Sequence, residues 1–200
     1  MTQQHNSYRS SASFATVAFL LLAWPAEITA STNIIIPIAN FGRSGKSNMQ
    51  WHTKNDPVMG GQSSSTLVVE GALAKFQGEV RDVPSLNAPG FITMETEGGS
   101  FPDVSSCIGI DLLVRSNINY NGYRFSFGMG HAEGGHHAFG YKAPLDINVT
   151  DEFETIKIPF LSFSDKWSGG TGDIIVECVD DLQFCPTKET LKDMEIMQFW

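Results

Sequence analysis

From residue 31 onward the chain repeats one pattern: a short run rich in β-branched and aromatic side chains, then a cluster of Gly, Pro, Asn or Asp. This constrains the fold more than any other feature, because short strands at regular spacing bury their apolar faces by stacking into a sandwich or barrel. Strands are expected at Ile34 to Ile38, Ser65 to Val69, Ala72 to Phe76, Gly78 to Val83 and Phe91 to Met94. Further strands are expected at Ile108 to Arg115, Tyr123 to Phe127, His137 to Tyr141, Phe153 to Ile158 and Ile174 to Val179. Glu70-Gly71 suits a tight turn between the second and third of these. Helix signals are confined to Thr187 to Met194, where Thr187 follows Pro186 and can cap a turn or two. No linker or repeat interrupts residues 31–200, so one domain is expected there.

The first thirty residues obey different rules. Residues 1–13 carry one base, Arg9, and no acid; Phe14 to Trp24 is an uncharged apolar run, followed by Pro25 and Ile28-Thr29-Ala30. That order is the pattern of a secretory signal peptide, expected to be cleaved after Ala30. Its eleven apolar residues, at ~1.5 Å each, fall short of a ~30 Å hydrocarbon layer, so no stable membrane span is expected after cleavage. The expected location is the secretory pathway or outside the cell, with the mitochondrion as the alternative. The formal charge of −9 repels phosphate backbones, so no nucleic-acid partner is expected. Three cysteines fit an oxidising compartment. Cys178 and Cys185 enclose a loop short enough to bridge, whereas Cys107 reads as a small buried hydrophobe. Asn148-Val149-Thr150 is a glycosylation sequon, relevant if the leader routes the chain through the secretory pathway.

The densest motif begins at Trp51 and runs W-H-T-K-N-D-P-V-M-G-G-Q-S-S-S. Asn55 and Asp56 before a proline can fold onto local amides, and paired Gly60-Gly61 permits a sharp bend, so the segment is a shaped turn leading into a strand at Ser63 to Ser65. Trp51 and Met59 supply apolar surface that can plug the end of a sandwich. Two roles follow: a turn that closes the fold, or a loop in which Trp51, Asn55, Asp56, Met59, Gly60, Gly61 and Ser63 contact a partner or ligand.

Asn55, Asp56, Val58, Met59, Gly60, Gly61 and Ser63 resemble the N-D-x-V-M-G-G-x-S signature of the complex I intermediate-associated protein 30 (CIA30) family. The likeness continues through Phe76-Gln77-Gly78-Glu79-Val80, Pro89-Gly90-Phe91, Gly109-Ile110 with Leu112 to Arg115, and Ile158-Pro159-Phe160 with Phe163. It implies an all-β fold, a galactose-binding-like jelly-roll sandwich of antiparallel strands. It also implies a non-catalytic, chaperone-like role: mitochondrial relatives assist assembly of respiratory complex I, and plastid relatives act in photosystem biogenesis. Two features depart from the family pattern. The leader is of secretory type, and Met197 to Trp200 ends the sequence where relatives continue into a glycine-containing turn and a closing strand.

Enzyme motifs are sparse. The chain has no G-x-S-x-G, no H-E-x-x-H and no phosphate-cradling loop, and Gly169 to Gly172 lacks the lysine of a Walker loop. No cofactor is implied. His131, His136 and His137, with Glu133, form a metal-ligand cluster in composition, but adjacent histidines on a strand face opposite ways, and a solvated hairpin tip is the expected reading. Asp173, Glu177, Asp180 and Asp181 read as a solvated acidic edge, with a weak calcium site as the alternative. Two partner classes remain: a protein client, unfolded or assembling, or a carbohydrate stacked on Trp51, Tyr120, Tyr123 or Trp167.

Overall fold

The computed structural model describes residues 22–25, 35–42, 48–56, 60–97, 101–128 and 140–200. Strands follow in chain order as β1 (Leu22–Pro25), β2 (Ile36–Pro37), β3 (Trp51–Asn55), β4 (Ser64–Glu70), β5 (Leu73–Glu79), β6 (Asp82–Val83) and β7 (Ala88–Pro89). They continue as β8 (Ile92–Thr96), β9 (Cys107–Val114), β10 (Arg124–Gly128), β11 (Tyr141–Pro144), β12 (Glu154–Pro159) and β13 (Ile196–Phe199), with one short helix, α1 (Lys188–Lys192), before the last. Among the described residues the two main sheets are β12-β9-β1-β2 and β11-β10-β13-β8-β3, and β4-β5 forms a hairpin beside them. All pairings between these strands are antiparallel. The fold is an all-β jelly-roll sandwich.

Alternation along each strand builds the core. In β10 and β13, Phe125, Phe127, Met197 and Phe199 point inward, and Ser126 and Gln198 lie on the opposite face. The facing sheet contributes Ile110, Leu112 and Val114 from β9 and Ile158 from β12 to the same apolar cluster. Phe127 and Phe163 meet at 4.7 Å, and Phe199 packs edge-on against Phe76 of β5 at 6.2 Å, which ties the hairpin to the sandwich. Each such aromatic contributes about 2–3 kcal/mol on burial.

Several expected elements change in detail. The hairpin forms as β4 and β5 around Gly71, whose φ of 63° only glycine adopts without strain. The strand expected over Gly78 to Val83 divides into the end of β5 and β6. Of the strand expected over His137 to Tyr141, residues 137–139 lie outside the described ones, and a strand runs over Tyr141–Pro144. Ile174 to Val179 is not a strand. Trp167 and Ile174 form an isolated bridge, and the chain then turns, with the amides of Asp180 and Asp181 donating to the Glu177 carbonyl. Ile175 and Val179 stay exposed, so their β-branched shape serves no sheet. Thr187 caps α1 through the Thr190 amide. Met197 to Phe199 lie in β13, a central strand between β10 and β8.

β1 comes from the run read as a leader. Leu22 and Ala23 pair with Asp111 and Ile110 of β9 on one side and with Pro37 and Ile36 of β2 on the other. Cleavage after Ala30 would remove this strand and open that edge of β9, so the two features make opposite demands. The remaining leader residues lie outside the described ones.

Candidate functional site

The signature turn uses its polar side chains on itself. Asp56 is buried; one carboxylate oxygen accepts the Ser63 amide at 3.0 Å and the other accepts the Ser63 hydroxyl at 2.9 Å. Ser63 Oγ also accepts the Arg81 amide at 3.0 Å, and Arg81 in turn accepts the Gly90 amide at 2.9 Å. Three separated segments therefore close on one carboxylate, whose hydrogen bonds satisfy buried donors that would otherwise be orphaned. The packing leaves no room for side chains: a methyl group at Gly61 or at Gly90 would overlap Asp56. Gly60 sits at φ 78°. Asn55 accepts the Ser65 hydroxyl at 2.6 Å, and Trp51 packs half-buried on Phe41 at 5.7 Å. Val58 and Met59 lie outside the described residues. This arrangement is what a fold-closing clasp requires, and it sits beside β3, at one edge of the five-stranded sheet.

A polar row crosses the outer face of that sheet. Register aligns Lys142 with Ser126, Ser126 with Gln198, Gln198 with Glu95, and Glu95 with His52, one residue from each strand. Ser126 Oγ donates to Gln198 Oε1 at 3.0 Å, Gln198 Nε2 donates to Glu95 Oε2 at 2.6 Å, and His52 Nε2 meets Glu95 Oε1 at 3.0 Å. Lys54 Nζ lies 3.5 Å from the same Glu95 oxygen. At the other end Lys142 is fully buried, with Nζ 3.6 Å from the Trp167 ring centre and 3.5 Å from that of Trp200. Trp200 in turn donates its indole N–H to Ser126 Oγ at 2.8 Å. Lys142 Nζ has no hydrogen-bond partner among the described residues. Burial first, then the nearby Arg124 charge, push its pKa down to about 7. Sequence reading missed this cage, because its members lie far apart in the chain and meet only through strand register and the loop after β12.

That loop is fastened at many points. A disulfide joins Cys178 and Cys185. Ser164 Oγ donates to the Val176 carbonyl at 2.6 Å, the Ile175 amide donates to Lys166 at 2.8 Å, and the Asp165 amide donates to Phe184 at 3.2 Å. Arg124 reaches across to the Gly172 carbonyl at 2.9 Å and to Asp173 at 2.5 Å. Pro144, Pro159, Leu161, Ser162, Ile174, Glu177 and Val179 line a groove of about 340 Å³ where the edge strands β11 and β12 end.

The other sequence candidates are dispersed. Cys107 is buried and unbridged, and burial raises its thiol pKa, which suppresses thiolate chemistry. Asn148 is exposed, and its side-chain amide donates to Glu154 at 2.9 Å. Among the proposed stacking aromatics, Trp167 is covered by Lys142 and Tyr123 is buried with its hydroxyl 2.9 Å from Ser116; Tyr120 is exposed and meets Tyr123 edge-on. His131, His136 and His137 lie outside the described residues. Among the described residues no three His, Cys, Asp or Glu side chains are grouped to hold a metal, and no helix is long and apolar enough to cross a membrane.

A family model described as Complex I intermediate-associated protein 30 (CIA30) matches residues 39–195. Comparison with curated proteins finds no match to the chain.

Proposed function

Since the chain belongs to the CIA30 family, whose model spans 39–195, we propose that it is a non-catalytic assembly factor that holds a protein client while a larger complex is built. The family match carries this reading. The site geometry supports it. The signature residues Asp56, Gly61 and Ser63, with Gly90 packed against them, close the fold, and the polar row satisfies itself from His52 to Ser126, as in a scaffold. The hydrogen bonds of Asp56 and Ser63 are made within the turn, which favours a client-contacting surface elsewhere on the sandwich. The leader pattern and the Cys178–Cys185 disulfide support passage through an oxidising compartment, with the mitochondrion as the alternative address.

Deleting the gene and following membrane complexes on native gels tests the reading. Respiratory complex I comes first, because the family's description names it. One complex should fall or stall as a partial assembly and recover when the chain is restored. Unchanged profiles for every complex would overturn the proposal.

A further inference from the structure

The groove between the ends of β11 and β12 has the properties of a docking surface. It lies where the edge strands of the two sheets meet, across the five-stranded sheet from the signature turn. Its floor and walls are apolar, from Pro144, Pro159, Ile174, Leu161 and Val179. Large apolar side chains of the surrounding loop stand in solvent: Leu161 is 54% exposed, Val179 58%, Ile175 61% and Leu182 72%. Exposed aliphatic surface of this kind is costly unless something covers it. The loop is also held in shape by the disulfide, the Trp167–Ile174 bridge and the Ser164 hydroxyl, so binding would not have to order it first.

Charge selects the occupant. Asp173 to Cys185 contains four acids and no base. Arg124 neutralises Asp173. Glu177 lines the groove itself, and Asp180 is exposed next to Val179. An apolar floor with an acidic rim favours aliphatic side chains flanked by cations and repels acidic segments.

We propose that this groove docks a segment of a protein client in which aliphatic residues are flanked by lysine or arginine. The assignment rests on the client-holding role above and names the surface that performs it. Aliphatic anchors enter between Leu161 and Val179, and the flanking cations meet Glu177 and Asp180. Salt should weaken the contact through the rim and leave the apolar part intact.

Fluorescence anisotropy on the purified full chain tests this with a labelled peptide of about twelve residues, a Leu/Val core flanked by lysines. A second peptide carries the same core flanked by glutamates. The lysine-flanked peptide should bind at least about tenfold more tightly, Glu177→Lys with Asp180→Lys should erase that preference, and Val179→Glu should abolish binding of both peptides while the circular dichroism spectrum is kept. Equal binding by the parent and Val179→Glu, or a preference for the glutamate-flanked peptide, overturns the assignment. Should Val179→Glu not fold, Leu161→Glu provides the same reading from the opposite wall. In gene-deleted cells, full rescue by a folded Val179→Glu chain would sink the groove and leave the client-holding role standing. Unchanged complexes in deleted cells would sink that role, while the peptide measurement still decides the groove.

Discussion

Replacing Lys142 by Met removes a buried cation from between two indoles and should change how stability depends on pH. The amine falls from its ordinary 10.5 to about 7 in the folded protein. Below pH 7 both states carry the proton, and the folded one bears the whole penalty, on the order of 5 kcal/mol. Between pH 7 and 10.5 the folded state binds fewer protons than the unfolded chain, so stability rises with pH and the penalty fades. Linkage over pH 7 to 9 amounts to about 2 kcal/mol. The indole faces at 3.5 and 3.6 Å oppose the fall in pKa, because they favour the cation. Burial outweighs this because Nζ lacks any hydrogen bond among the described residues. Met keeps an unbranched stem and a sulfur suited to aromatic contact. Urea unfolding of both proteins at pH 7, 8 and 9 measures the effect. The parent should gain about 2 kcal/mol relative to Lys142→Met over that range. A difference that stays flat with pH would show that the indoles keep the lysine protonated, and would refute the reasoning.

Asp56→Ala should destabilise the fold by about 3 kcal/mol, because it strands the Ser63 amide and hydroxyl; the urea midpoint reports it, and a loss under about 0.5 kcal/mol would remove the clasp from the account. Replacing Cys178 and Cys185 together by Ser should cost about 2–3 kcal/mol through the freed loop, read from the same midpoint under non-reducing conditions. A chain beginning at Ser31 should be less stable than one that retains Leu22–Pro25, since β9 loses its partner on that side; equal thermal midpoints would show that β1 is dispensable and that leader removal costs the fold nothing.

Much of the sandwich was readable in the sequence because its strands alternate. Phe125 and Phe127 flank Ser126, Ile156 and Ile158 flank Lys157, and Glu70-Gly71 marks the hairpin, so local pattern and final packing agree. Trp51–Asn55 carries the signal of an approach to a turn and little of a strand. Its outward residues are His52 and Lys54 and its inward set includes Thr53 and Asn55, so little apolar periodicity betrays a strand. Ile174 to Val179 misled in the opposite sense: β-branched composition suggested a strand where a disulfide, a turn at Glu177 and exposure to solvent make a platform. Asn55 and Asp56 announced a shaped turn, but the need for glycine at position 90 arises from the approach of a distant segment and has no local signal. The Lys142 cage is more remote still, joining β11 to Trp167 and Trp200 across more than one strand crossing.

The most direct test of client holding is the native size of the chain during a synchronised burst of complex assembly. Gentle lysis, size fractionation and detection of the endogenous protein should find it in a particle heavier than its monomer, together with an immature subunit, and should find it released as the complex matures. Elution as a free monomer at every time point, while assembly proceeds at its normal rate, would contradict the account.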